Sequence, residues 1–209
     1  VASLWFTRTT SFRKTSSDRL TIGLGLCNIF TSETHVYEYH MEYRITPATV
    51  EQIARILTTY QPREYIIVYD LLQKKETTID GQSLEEVMSR IENYLGLYQT
   101  VIHRHILTKD TPLYEYTKQI VQQKLLNDWF SPADYQAFEA TTLLSEYPFG
   151  TMAFVNLLAF LQEHNSHLVK QLHTPMIGTP PKTMLLANHS LQQLNMIGDG
   201  SRIASVENW

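Results

Sequence analysis

Two acids stand where a metal-dependent hydrolase would want them. Glu51 falls in an amphipathic helical stretch, and Asp70 directly follows the apolar run Tyr65–Tyr69. A two-metal site gathers several carboxylates at the ends of neighbouring elements, so that both cations flank the scissile bond. The first strand-like run, VASLWF, has no acid to complete such a set, and the pair reads as surface carboxylates. His103 and His105 are two apart, and His164 and His167 are three apart; both spacings let two imidazoles reach one metal. Neither pair has a neighbouring Cys or an HExxH partner to supply a third ligand, so no metal site is expected. Cys27, the single cysteine, lies between Leu26 and Asn28 and reads as a small buried hydrophobe. Arg8, Arg13, Lys14 and Arg19 sit in a Ser/Thr-rich stretch and are the candidates for contact with phosphates, although a solvated hairpin tip has the same composition. Gly178–Thr183 lacks the GxxxxGK[ST] pattern, and its prolines remove the amide donors a phosphate cradle needs. No catalytic residue, cofactor-binding residue or metal ligand is assigned.

The elements that would position these groups change type along the chain. Val1–Phe6, Leu20–Phe30 and His35–His40 read as strands, with Gly23 and Gly25 marking a close backbone approach or a bulge. Thr46 and Pro47 open a helix with Val50, Ile53, Ala54 and Leu57 on one face. The run YIIVY is a buried-type strand. Ser83 and Glu86 form a capping-box pair for a second helix, which Gly96 ends, and Thr100–Leu107 reads as a further strand. Three strands, helix, strand, helix, strand predict a mixed sheet with helices packed on it, the layout of ribonuclease-H-like folds. From Pro112 the pattern turns helical: one helix runs to Trp129, a second starts at Ser131-Pro132 and ends near Tyr147-Pro148, and a third opens at Gly150 and runs to about Gln162. Leu172–Lys182 reads as an irregular connection into MLLANHSLQQLNMI, residues Met184–Ile197, where Leu191, Leu194 and Ile197 share a helical face.

The chain has 209 residues and a net charge of −4, without the basic excess of a dedicated nucleic-acid-binding module. No apolar stretch has the length of a membrane span, and no membrane partner is expected. Residue 1 is not Met and already begins a strand-like run; the chain is read as an internal piece of a larger protein.

Over its second half the sequence resembles the MutS family of DNA mismatch-recognition ATPases. Tyr116–Phe130, Phe149–Gln162 and Leu186–Met196 are similar, in order, to the helices and signature segment at the family's connector–core junction. Leu186, Ser190 and Leu194 fall on the signature's Leu, Ser/Thr and Leu positions, while Ala187 and Asn195 replace the common Asp and Glu. In the first half, GLGLCNIFTSETHVYEY is similar to the family's opening hairpin, with Asn28 for Asp and Ser32-Glu33 where a turn Gly is usual. The Tyr-rich texture resembles the branch found in octocoral mitochondria and giant viruses.

The resemblance implies a ribonuclease-H-like connector domain over residues 1–147 and the start of a helical core or lever domain over 148–209: α/β, then all-α. It implies a full-length protein that uses ATP and Mg, acts as a homodimer or clamp on mismatched double-stranded DNA, and meets downstream repair factors at its connector. A mitochondrial location follows from the same branch. The family's mismatch-probing Phe-x-Glu and its Walker loop are absent here, so this piece would transmit between ATPase and DNA clamp rather than catalyse. Two other readings compete with it: a ribonuclease-H-fold nuclease fragment and a stand-alone protein-interaction module.

Overall fold

A computed structural model describes residues 1–9, 18–72, 78–79, 81–131, 135–164 and 166–178. Strands β1 (Ala2–Thr9), β2 (Arg19–Asn28) and β3 (Glu33–Glu42) form an antiparallel meander. Helix α1 (Pro47–Tyr60) follows, then β4 (Glu64–Asp70), the two-residue strands β5 (Thr78–Ile79) and β6 (Gln82–Ser83), α2 (Leu84–Leu95) and β7 (Val101–Ile106). β4 pairs with β1, and β7 with β4, both in parallel. The sheet order is therefore β7-β4-β1-β2-β3, extended at its far edge by β8 (Met176–Ile177). A three-stranded antiparallel meander extended from its first strand by two parallel strands in succession, each preceded by a helix, is the ribonuclease-H-like arrangement expected from the sequence.

The remaining elements are a 3-10 turn (Pro112–Thr117), α3 (Gln119–Phe130), α4 (Tyr135–Thr142), a second 3-10 turn (Leu144–Glu146), α5 (Pro148–His164) and the short α6 (Ser166–Val169). The helix expected from Pro112 to Trp129 is broken at Lys118, whose backbone is extended. The connection expected after Leu172 contains β8, which pairs in parallel with His35 and Val36 of β3. Two residues are too few to show a strand period, which is why the sequence concealed it.

The described residues divide into two compact units. One takes those of Val1–Tyr43, Arg63–Gln73 and Val101–Thr179; the other takes those of Arg44–Pro62 and Lys74–Thr100. The first holds the six-stranded sheet and α3 to α6. The second holds α1, α2 and the β5–β6 pair. In it the Ser83/Glu86 capping box is formed in both directions, with bonds of 3.2 and 3.0 Å, and Gly96 ends α2 at a φ of 68°. Thr46 precedes α1 as expected, but its hydroxyl meets that of Thr49 (2.8 Å) instead of a backbone amide.

The boundary expected at 147/148 falls at the start of α5. α5 packs on β2 and β1 and belongs to the sheet-bearing unit. Its Phe154, Val155, Leu157, Leu158 and Leu161 join Cys27, Val36 and Ile66 of the sheet, with Leu126, Phe138 and Leu144 of the preceding helical stretch, in one core. A helix buried on so many positions loses the one-sided pattern that would have marked it as a sheet-facing helix.

Candidate functional site

Strand pairing gathers polar side chains on the sheet face that α5 covers. Register aligns Asp70 of β4, Thr7 of β1, Thr21 of β2 and His40 of β3 in one row across four strands. Successive side chains alternate between faces, so Trp5, Gly23 and Glu38 form the next row on the same side. Thr21 Oγ1 and His40 Nδ1 are 3.1 Å apart, and His40 Nε2 pairs with Glu38 Oε1 at 2.8 Å.

Helix α5 enters against this second row. The other carboxylate oxygen of Glu38 accepts from the backbone N–H of Phe149 and of Gly150, at 2.7 and 2.9 Å. These amides belong to the first turn of α5, whose donors have no partner within the helix, and Glu38, its side chain only 2% exposed, serves as a cap from a distant strand. The close approach expected at Gly23 and Gly25 is present. A Cβ on Gly23 would lie 2.0 Å from the Phe149 carbonyl oxygen, and one on Gly25 would lie 2.9 Å from Phe154 Cα. Deeper in the interface, Asn156 Nδ2 donates to Ser3 Oγ at 3.2 Å.

At the other end of the first row, burial pushes the Asp70 carboxyl above the ordinary carboxylate range, and the Thr7 hydroxyl beside it draws it part of the way back. Thr7 is the cross-strand neighbour of Asp70, the place at which a two-metal site would want a second carboxylate. Glu51, on α1, is engaged by Arg55 at 2.6 Å. Among the described residues no three His, Cys, Asp or Glu side chains are grouped to hold a metal ion.

The other candidates are dispersed. His103 Nε2 meets Glu64 Oε1 at 2.9 Å, and its ring packs 5.0 Å from that of Phe160. Burial, with His103 nearby, lowers the pKa of His105. His164 Nδ1 lies 2.8 Å from the Phe160 carbonyl. Arg8 is held by Asp18 at 2.8 Å and lies 4.6 Å above the Tyr43 ring; at 13% exposure it is committed to the protein rather than offered to a phosphate. Arg19 is exposed at the start of β2. Arg13 and Lys14, and the whole Met184–Ile197 segment with Leu186, Ser190 and Leu194, lie outside the described residues. Cys27 is buried, its thiol pushed up to about 11 by that burial.

The β2–β3 turn was legible only in part. Asn28 Oδ1 accepts from the N–H of Phe30 (3.0 Å) and of Thr31 (3.4 Å), the turn-making bond that an Asp would also supply. Ser32 takes a φ of 61° where Gly would be unstrained.

The fold and this surface define a ribonuclease-H-like sheet domain whose row at the ends of β1 and β4 contains one carboxylate. No protein-family model matches the chain. It is similar to a protein of Acanthamoeba polyphaga mimivirus described as a DNA mismatch repair protein mutS homolog, with 24% identity over 207 residues. That alignment covers 90% of this chain and 18% of the relative, so the chain spans about a fifth of the length of the curated protein it matches. Among solved structures it is similar to Thermus thermophilus RuvC in complex with a Holliday junction substrate, at 7% identity and a TM-score of 0.39 over 79% of this chain and 98% of that one. The fowlpox virus Holliday junction resolvase gives 10% identity and a TM-score of 0.36 over 77% and 99%. Likenesses this distant carry no argument about activity.

Proposed function

We propose that this chain is the connector-like, ribonuclease-H-fold module of a MutS-like DNA mismatch repair protein, and that it transmits rather than catalyses. The supporting observation is the similarity to the mimivirus MutS homologue across 90% of the chain. In this reading the full-length protein uses ATP and Mg, clamps mismatched double-stranded DNA as a homodimer and meets downstream repair factors through this module. Leu186, Ser190 and Leu194 would then begin the lever.

Transmission needs an element that two sites bias, and the α5 seat on Glu38 is the one to perturb. In the full-length protein, Glu38→Ala is expected to leave nucleotide-free mismatch binding within about twofold and to slow ATP-triggered release about tenfold or more, read by surface-immobilised heteroduplex. Absence of any preference for a mismatch over homoduplex would end the MutS reading.

One observation favours the nuclease alternative: Asp70 lies at the carboxyl end of β4, beside β1, with a raised pKa. Mg- or Mn-dependent cleavage of branched or hybrid duplexes that Asp70→Asn abolishes would establish it over the first.

A further inference from the structure

Helices α3 and α4, the second 3-10 turn and the first residues of α5 border a cavity of about 130 Å³ in the sheet-bearing unit. That is room for one ring or one long side chain, well below the roughly 300–1,000 Å³ of sites that take up whole small-molecule ligands. Leu126, Phe138, Leu144 and Met152 supply its apolar lining.

The polar lining asks for a donor. The hydroxyls of Thr117, Thr142 and Thr151 donate to the carbonyls of Tyr114, Phe138 and Leu144, at 2.7, 2.9 and 2.7 Å, which leaves them only lone pairs to offer an occupant. Gln122, 5% exposed, donates from Nε2 to the Tyr116 carbonyl at 2.7 Å, and its Oε1 accepts from no described residue. Gln119 and Gln123 line the cavity from the same helix, and a side-chain amide can turn its oxygen toward an occupant.

Charge decides the sign. Glu139 is the one ionisable side chain in the lining, and its carboxylate has neither a hydrogen bond nor an ion pair among the described residues. Lys118, between the lining residues Thr117 and Gln119, is taken up by Glu115 at 2.6 Å. A carboxylate and surplus acceptors beside an apolar floor suit a cation that has an aliphatic stem and several donors. Arginine has both, and its guanidinium is more weakly hydrated than an ammonium. Ile120 and Leu143, adjacent in sequence to lining residues, are 76% and 42% exposed, so apolar neighbours of that arginine find contact as well.

We propose that this cavity receives an arginine side chain from a partner protein, its stem against Leu126, Phe138 and Met152 and its guanidinium at Glu139 and the glutamine oxygens. This does not depend on the mismatch-repair reading.

The test uses the whole 209-residue chain and fluorescence anisotropy of the labelled, end-capped peptide Ala-Leu-Arg-Leu-Ala, with versions carrying citrulline, Lys or Glu in place of Arg. The Arg peptide is expected to bind about tenfold or more tighter than the uncharged citrulline peptide, to exceed the Lys peptide, and to leave the Glu peptide unbound. Glu139→Gln keeps the shape of the lining and should erase the preference for Arg over citrulline. Ser145→Trp, which puts a large ring at an exposed lining position, should abolish binding at an unchanged urea midpoint. Equal affinity for the Arg peptide and either the citrulline or the Lys peptide, or a preference that survives Glu139→Gln, overturns the proposal. So does n-butylguanidinium binding as tightly as the peptide, which would assign the cavity to a free small cation. Self-association of the chain that Glu139→Gln removes would overturn it too, by assigning the cavity to an arginine of a second copy.

Discussion

The carboxylate of Glu38 caps a helix that begins more than a hundred residues later, accepting from both Phe149 and Gly150. A short-range cap fixes only where a helix starts. This one also fixes where α5 sits, because the strand bearing Glu38 is part of the sheet the helix covers. The Glu38→Ala chain loses two charge-assisted bonds and leaves two donors at a buried junction. Bonds to a charged group contribute roughly 1.5–3 kcal/mol, so a loss of about 3 kcal/mol is expected in urea unfolding, with Glu38→Gln losing about half as much. A Glu38→Ala change below about 0.5 kcal/mol would mean that α5 is seated by its apolar contacts alone.

The glycine seat under α5 makes a graded prediction. Gly23→Ala would place its Cβ against the Phe149 carbonyl, and Gly25→Ala would press more lightly on Phe154. Overpacking typically costs about 1–3 kcal/mol, occasionally more; Gly23→Ala belongs at or above the top of that range and Gly25→Ala within it. Gly81 is the control, with a φ of 78° and open space around it, so Gly81→Ala should lose only the roughly 1–2 kcal/mol of a left-handed residue. Equal losses at all three positions by chemical denaturation would contradict the close approach.

At the β2–β3 turn, Asn28→Asp should be nearly neutral, because an aspartate accepts the same two amide bonds. Asn28→Ala should lose about 1 kcal/mol. Ser32→Gly should gain about 0.5 kcal/mol, the relief of a left-handed non-glycine residue less the entropy glycine loses on folding. Thermal melts of the three variants check the set. Destabilisation by Ser32→Gly would show that the serine side chain contributes more than its backbone strain removes.

Asp70 carries a pH signature. Its folded-state pKa lies above the unfolded value of about 3.8, so the native state binds the proton more tightly. Stability then falls as pH rises from the unfolded pKa through the folded one. Asp70→Asn removes that penalty and should be the more stable chain at pH 7, its advantage shrinking as pH is lowered toward 4. A constant difference between the two chains from pH 4 to 7 in urea titrations would show that burial of Asp70 is not the cause.

What the sequence revealed tracks how local the determining physics is. The capping box at Ser83 and Glu86, the stop at Gly96 and the run YIIVY each act within a few residues, and each is formed as read. Gly23 and Gly25 announced that something approaches closely, but not that it would be α5, whose own residues are buried on nearly every side. The seat of α5 was hidden for the same reason, because its first turn is bound by Glu38 far upstream. The Asp70–Thr7–Thr21–His40 row was hidden because it exists only once register brings four strands together. Arg8 looked available in a basic stretch, and only the fold supplied Asp18 and Tyr43 to hold it.

The last described stretch of the chain has a mechanical consequence. His173 N–H donates to the Ser32 carbonyl, Thr34 Oγ1 to the His173 carbonyl and Gly178 N–H to the Val36 carbonyl, while Gly178 lies so close to the Tyr37 ring that a Cβ would clash with it. A tension arriving through the backbone at Gly178 therefore loads β3 and the turn before it, through these bonds and the β8 pairing, before it loads α5. Those bonds form a short tether between the chain after α5 and the edge of the sheet. β3 also carries Glu38, so the strand that holds the end of the described chain is the one that caps α5.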